Sequence, residues 1–389
     1  MSELVTNKIS PVTGTNVTLG DSGDTFTIAS GASITGGSIA AASLTGSLPA
    51  ISGASLTNLP PSAPSHRNDI INGGLVVNQE NQTAPADDAY TIGDLFLHVG
   101  EGTPVMSLET DGPQGTRPWQ KMVLDANAQG GLVYFMSNDD VQDYIANGKL
   151  SFGIQLKTTA ATISNARIGI LKWVGTADAV TSDVVGTWAS DGTNPTLATS
   201  WSYENTPANI GLTTSFARHT VEDVTVDSDT KNIAIFIWTD DGTITASDVI
   251  GFSEWQCNPG STVHAFSTAD LSTVRQEVYY YYQGIDRQTV AYQWLCHGGV
   301  TGSTTMACKQ KYEGGAMRII PTITSSAANT WSGSDHGTGG TLTGIVFSGT
   351  GKDRTLINPT YAGGWTVRAY GYVYRNNTST VFLRYDARL

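Results

Sequence analysis

Between Ile9 and Ser65 the chain carries no lysine or arginine, its only acids are Asp21 and Asp24, and its sole aromatic is Phe26. A segment so poor in large apolar groups buries too little surface on its own to offset the entropy of ordering it. It is nevertheless patterned. Single residues such as Val17, Leu19, Ile28, Ile34, Leu44 and Leu56 recur through a Gly/Ser/Thr background, and LTGSLP (Leu44 to Pro49) is echoed by LTNLP (Leu56 to Pro60). Such thin spacing predicts strands that close a core only by winding with copies of themselves, an intertwined oligomeric stalk; a flexible linker is the other reading. Pro49, Pro60, Pro61 and Pro64 stiffen the exit.

Beyond residue 65 the composition changes. GKLSFGIQLK (Gly148 to Lys157), ARIGILKWV (Ala166 to Val174), RHTVEDVTV (Arg218 to Val226) and NIAIFIWT (Asn232 to Thr239) are β-rich runs of strand length, punctuated by Asp191-Gly192 and Asp241-Gly242. With no long helical periodicity between them, they predict antiparallel sheets. One helix is expected: Ser267 with Asp270 reads as a capping box, and the helix runs through DLSTVRQEVYYYY to Gly284, although Tyr279 to Tyr282 also suit a strand. From Ile285 the chain returns to strands and turns and finishes on VFLRYDARL, an alternating run that predicts a closing strand. The fold class is therefore all-β. A thin N-terminal shaft occupies residues 21–65, a central antiparallel β-sandwich 66–284 and a small C-terminal β domain 285–389.

Charge and motifs narrow the chemistry. The formal net charge of −13 repels nucleic acid and anionic lipid alike. Cys257, Cys296 and Cys308 have neither a disulfide framework nor metal-knuckle spacing, and read as buried free thiols. MSELVTNKIS lacks the basic-then-apolar pattern of a secretory signal, and no apolar run approaches the roughly 18 residues of a membrane span, so membrane insertion is not expected. No nucleophile elbow, HExxH or phosphate-binding loop is present, and the six histidines are scattered, so neither metal nor cofactor is expected. Asp240-Asp241-Gly242-Thr243 suits a hairpin turn better than a calcium loop. Glu222, Asp223 and Glu254 read as solvated strand-edge charges rather than a hydrolytic pair.

Aromatics beside glycines stand out in the last third. NTWSGSDHGTGG (Asn329 to Gly340) and NPTYAGGWTVRAYGYVY (Asn358 to Tyr374) put Trp331, Tyr361 and Trp365 at turn-forming positions. Rings exposed there would stack on sugar faces while Asp335 and His336 read hydroxyls, which makes these five residues the receptor-binding candidates. Packing in a core or subunit interface is the blander role for the same rings.

Several stretches, in order, resemble bacteriophage tail-fibre receptor-binding proteins, particularly those of marine phages. KISPVTGTNVTLGDSGDTFTIASGASI is similar to their shaft start, and ISGASLTNLP to their stalk unit. DIINGGLVVNQENQT (Asp69 to Thr83) resembles the entry to their jelly roll at Asn72, Gly73 and Gly74; WQCNPGSTVHAF (Trp255 to Phe266) resembles its closing strand, with Asn258 where a Glu is usual. VRQEVYYYY (Val274 to Tyr282), AMRIIPTIT (Ala316 to Thr324) and the terminal YDARL complete the likeness. The chain departs from the pattern at Asp94-Leu95-Phe96, where Asp-Arg-Trp is usual, and lacks the Cys before the tyrosine run.

The resemblance implies a jelly roll of carbohydrate-binding-module type and a homotrimeric fibre in the virion, assembled in the host cytoplasm. Residues 1–20 would attach to tail or baseplate proteins. The β domains would present a receptor surface to a host-surface glycan or outer-membrane receptor, with weak contacts multiplied by threefold avidity. No catalytic residues are implied. A tailspike depolymerase and a capsid decoration or head fibre are the alternatives.

Overall fold

A computed structural model describes residues 68–389, apart from residue 81 and the short stretches 126–128, 160–162, 240–243, 287–293, 313–314, 335–338, 366–369 and 376–381. The shaft and the turn expected at Asp241-Gly242 lie outside the described residues.

The first strands are β1 (Ala89–Tyr90), β2 (Phe96–Gly100), β3 (Val105–Glu109), β4 (Trp119–Val123) and β5 (Gly130–Met136), followed by helix α1 (Asn138–Asn147). Two long strands, β6 (Lys149–Thr158) and β7 (Asn165–Trp173), lead to the short β8 (Val185–Thr187), β9 (Thr196–Leu197), β10 (Trp201–Tyr203) and β11 (Ile210–Gly211). Then come β12 (Ala217–Thr225), β13 (Asn232–Thr239), β14 (Val249–Pro259), helix α2 (Leu271–Tyr281) and β15 (Tyr282–Asp286).

Two sheets form a sandwich. One has the order β1-β2-β5-β13-β7-β10, with β11 also on β7; the other has the order β12-β6-β14-β4-β3. Leu150, Phe152, Ile154 and Leu156 of β6 alternate inward and meet Leu132, Ile168, Ile170 and Ile235 of the facing sheet. Trp255 sits in this core, its ring centroid 4.8 Å from Phe96 and 5.8 Å from Phe152.

All eight residues of β13 are buried, because the seven-stranded sheet is covered on both faces. On its outer side Leu97, Phe135, Leu171, Trp173, Phe236 and Trp238 pack under Val184, Val185 and Trp201 from the segment between β7 and β12. The four β-rich runs read from the sequence are thus β6, β7, β12 and β13.

Helix α2 begins three residues later than the capping box would place it. Asp270, not Ser267, is the N-cap, and its carboxylate accepts from the amides of Ser272 and Thr273. The tyrosine run divides: the helix takes it to Tyr281, and Tyr282 opens β15. Helix α1 has no counterpart among the sequence expectations. Its N-cap Ser137 accepts from the Asp140 amide, and Gly148 closes it with a left-handed φ of 74°.

The C-terminal strands are β16 (Trp294–Gly302), β17 (Thr305–Lys311), β18 (Thr322–Ser325), β19 (Trp331–Ser334), β20 (Gly339–Thr341) and β21 (Gly344–Ser348). They are completed by β22 (Arg354–Thr360), β23 (Tyr370–Arg375) and β24 (Phe382–Asp386), the closing strand anticipated from VFLRYDARL. A seven-stranded sheet runs β20-β19-β23-β16-β17-β22-β21, and a three-stranded sheet β15-β24-β18 hands the chain over from α2. Cys257, Cys296 and Cys308 are buried free thiols.

The end of the chain stitches the C-terminal sheets to the sandwich. The Arg388 guanidinium lies over the Tyr90 and Tyr282 rings at 3.6 and 4.0 Å. It donates to Glu80 at 2.9 Å and to the Asp94 carbonyl at 2.6 Å, and pairs with Asp386. Arg384 reaches the same Glu80 at 2.7 Å. Nearby, the Ala387 amide donates to the Tyr281 carbonyl and the Tyr90 hydroxyl to the Leu389 carbonyl.

Candidate functional site

The aromatics picked out in the C-terminal domain do not stand free. Trp331 is 1 % exposed and Trp365 5 %, both inside the hydrophobic cluster of that domain with Met306, Cys308 and Ile357. Rings so enclosed have no face to offer a ligand, so at these two positions the structure replaces the binding expectation with a packing role. Tyr361 is half-buried, tilted against Trp365 at 5.8 Å, and its hydroxyl donates to the Gly339 carbonyl. The neighbouring glycines serve this packing: a Cβ at Gly363 would lie 2.3 Å from the Tyr361 ring. Asp335 and His336 lie outside the described residues.

Of the two outer faces of the sandwich, the one on the seven-stranded sheet is sealed by the β7–β12 segment. The outer face of the five-stranded sheet carries a different set of side chains. Odd-numbered β6 residues point outward here, and register places them beside residues from the other strands. Arg218 is opposite Gln155, which is opposite Ser253, and Trp119 is opposite Glu109. In the next row Lys157 faces Gly251, which faces Lys121, which faces Ser107.

One half of this face is roofed by the chain after β14. Ser151 donates to the Gly260 carbonyl at 2.9 Å, the His264 amide to Asn258 at 2.9 Å, and Arg218 to the His264 carbonyl at 3.2 Å. The other half is open, with Ser107, Lys121, Gln155, Lys157, Phe216 and Arg218 all partly exposed.

Rings and cations interlock in the open half. The Trp119 indole lies against Gly251, where a Cβ would approach it to 2.9 Å, and its Nε1 donates to Asp111 at 2.7 Å. That hydrogen bond, above all, holds the exposed Asp111 carboxyl below its ordinary pKa. The Lys157 ammonium sits 3.8 Å from the centre of the Trp119 ring and 4.6 Å from that of Phe216, and the two rings meet edge to face.

Arg117 stacks over Phe266 at 5.3 Å and pairs with Glu254 at 3.5 Å. Glu254 is 5 % exposed and sits mid-sheet, so the reading of it as a solvated edge charge is corrected; Glu222 and Asp223 are exposed, on edge strand β12. The cause is a bulge between Ser253 and Gln256, in which Glu254 adopts a left-handed φ of 52° and turns toward Arg117. Gly153 makes room for Arg218, whose guanidinium would lie 2.6 Å from a Cβ there. Burial pulls the Arg218 pKa down, against the opposing pull of Glu254 and Glu222.

Chemically, the open half offers groups a polysaccharide chain can use: the half-buried Phe216 ring for a sugar C–H face, and amide, ammonium and guanidinium donors for hydroxyl oxygens, with Trp119 buried beneath them. A hollow of about 480 Å³ at the sandwich rim, lined by Glu204, Asn205, Thr206, Glu222 and Asp223, has no aromatic side chain in its wall. No local signal in the sequence marks the open half, because its members come from five strands, and from Phe216 just before β12, between residues 107 and 253.

No known protein family matches the sequence, and no curated protein does. Solved structures similar to part of the chain include a family 61 carbohydrate-binding module in complex with β-1,4-galactotriose, with 12 % identity and a TM-score of 0.29 over 50 % of this chain and 99 % of that one. A xylan-binding domain of family 22 gives 10 %, 0.28, 49 % and 99 % for the same quantities. For a family 11 carbohydrate-binding module from Clostridium thermocellum, in complex with a β-1,3-1,4-mixed-linked tetrasaccharide, they are 11 %, 0.26, 44 % and 91 %.

Proposed function

We propose that this protein is a virion adhesin, a homotrimeric phage tail fibre whose β-sandwich binds a host-surface glycan without cleaving it. The observation that carries the reading is the open half of the five-stranded sheet, where the half-buried Phe216, Gln155 and Lys157 share one surface above the buried Trp119 while the opposite outer face is sealed. An open surface with one accessible ring edge suits an extended polymer and gives modest affinity at one site. Three copies on one shaft raise that to useful avidity. In this reading residues 1–20 attach to the tail and 21–65 form the shaft.

The tailspike alternative calls for a parallel β-helix or a carboxylate-lined groove: every strand pairing among the described residues is antiparallel, while the rim hollow carries Glu204, Glu222 and Asp223 and is where that alternative would place its chemistry. Electrophoresis of the full chain through gels loaded with single polysaccharides, neutral and acidic, tests the binding. Phe216→Ala and Gln155→Ala are each expected to weaken retardation about ten-fold, equivalent to about 1.4 kcal/mol, with the melting temperature unchanged. Oligosaccharide release in a reducing-end assay would refute the non-enzymatic reading, and a monomer in sedimentation would refute the trimer.

A further inference from the structure

The chain carries a formal net charge of −13, yet on the open half of the five-stranded sheet Lys121, Lys157 and Arg218 stand close together, with Glu109 and Asp111 on the same face. Elsewhere among the described residues Lys149 reaches Asp223, Lys172 reaches Asp227 and Asp229, Arg318 reaches Asp178, and Arg384 and Arg388 share Glu80, while Lys231, Arg275, Lys309, Lys311 and Lys352 stand singly with no carboxylate that close. On the open half only Arg117 has such a partner, Glu254. Among the described residues, Lys121, Lys157 and Arg218 have no carboxylate within salt-bridge distance; Asp111, on the Trp119 indole, faces the two lysines, Glu109 accepts from Ser107 opposite Lys121, and Glu254 and Glu222 face Arg218.

These cations are held in place by groups that leave their charge intact. Two rings clasp Lys157, and Arg218 is fixed by the His264 carbonyl and the space at Gly153. A cation–π contact orients an ammonium without neutralising it. Lys157 and Lys121 flank Gly251 on either side of β14, which sets their backbones about 10 Å apart at the usual strand spacing. Arg218 stands one row along, opposite Gln155. The result is three cations without close carboxylate partners, side by side across the strands next to the Phe216 ring, on a molecule of net charge −13.

We propose that the open half takes an anionic glycan, one bearing carboxylate or sulfate groups, with Lys121, Lys157 and Arg218 as its charge partners. This rests on the carbohydrate-binding reading and names the class of sugar. The Phe216 ring takes a sugar face and the three cations take the acid groups. Binding weakens with salt, since the Debye length shrinks from about 10 Å at 0.1 M to about 3 Å at 1 M.

The test uses the full chain in affinity gels and calorimetric titration against polygalacturonate, κ-carrageenan, neutral β-1,4-galactan and duplex DNA. At least one acidic polysaccharide should bind ten-fold or more tightly than galactan. Preference for polygalacturonate assigns carboxylated sugars, and preference for carrageenan assigns sulfated ones. Lys121→Met with Lys157→Met, which keeps the stems against the rings, should reduce that binding at least ten-fold at unchanged melting temperature. Lys231→Met, in the β12–β13 loop, should leave it intact.

Equal binding of galactan and the acidic polymers, unaffected by the double substitution, would overturn the anionic assignment and leave glycan binding standing. Absence of binding to every polysaccharide would overturn both. DNA bound as tightly as the acidic polysaccharides would reduce the face to a non-specific polyanion surface and overturn the assignment.

Discussion

Asp94 occupies a left-handed backbone position, φ 62°, inside the sandwich, and one oxygen, Oδ1, accepts both the Gln79 and Glu80 amides at 2.7 Å. Its other oxygen, Oδ2, is buried with no hydrogen-bond partner. Burial pushes its pKa from 3.8 to about 6, against the pull of the two amides. Between those values the folded protein keeps a proton that the unfolded chain has released. Stability from this group is therefore fully present below pH 3.8 and lost as pH rises through about 6. Asp94→Asn, which tolerates the same backbone, is expected to flatten that loss. Urea melts of parent and variant from pH 4 to pH 7 should diverge in midpoint, and parallel curves would exclude Asp94 as the cause.

At the level of elements, helix α1 shows how little signal a structural helix needs. Only Val141 and Tyr144 are buried, so its apolar stripe is two residues long, and Ser137, Asp140 and Gly148 define its ends. Ser137→Ala should cost about 1 kcal/mol, read as a lower urea midpoint at constant slope. The long strands were legible for the opposite reason. NIAIFIWT is apolar throughout because both faces of β13 are covered, and SFGIQLK alternates because β6 has one face in the core. Helix α2 was legible too, but its competing caps Ser267 and Asp270 were separable only through the amides each could reach.

The site was less legible. Lys121, Gln155, Lys157 and Arg218 look like ordinary surface residues until strand register sets them side by side, and register is a property of pairing between distant segments. The tip aromatics misled because glycine beside a ring signals close packing as readily as a loop; Gly340 and Gly363 both lie against Tyr361.

Across the whole molecule the two hydrophobic centres are joined by charge. Arg388, Arg384, Glu80 and Asp386 form a cluster between the C-terminal sheets and the sandwich, with Arg388 enclosed by Tyr90 and Tyr282. Removing Arg388 leaves Glu80 with Arg384 alone and takes the guanidinium from Asp386, whose side chain is 33 % exposed, so the cost falls below the figure of about 3–5 kcal/mol for a fully buried broken pair. Arg388→Met should therefore split the unfolding of residues 65–389 into two calorimetric transitions, the C-terminal sheets melting first. One transition at the parental midpoint would show that the cluster couples nothing.

The same cluster sets an order of events in time. Glu80 and its partner Arg388 are 308 residues apart. At a synthesis rate of about 5–20 residues per second, Glu80 is made about 15–60 s before Arg388 exists. Throughout that interval a sandwich forming on the ribosome must enclose a bare carboxylate or stay open around it. A chain broken off before residue 384 never leaves that state, since it lacks both guanidiniums that pair with Glu80.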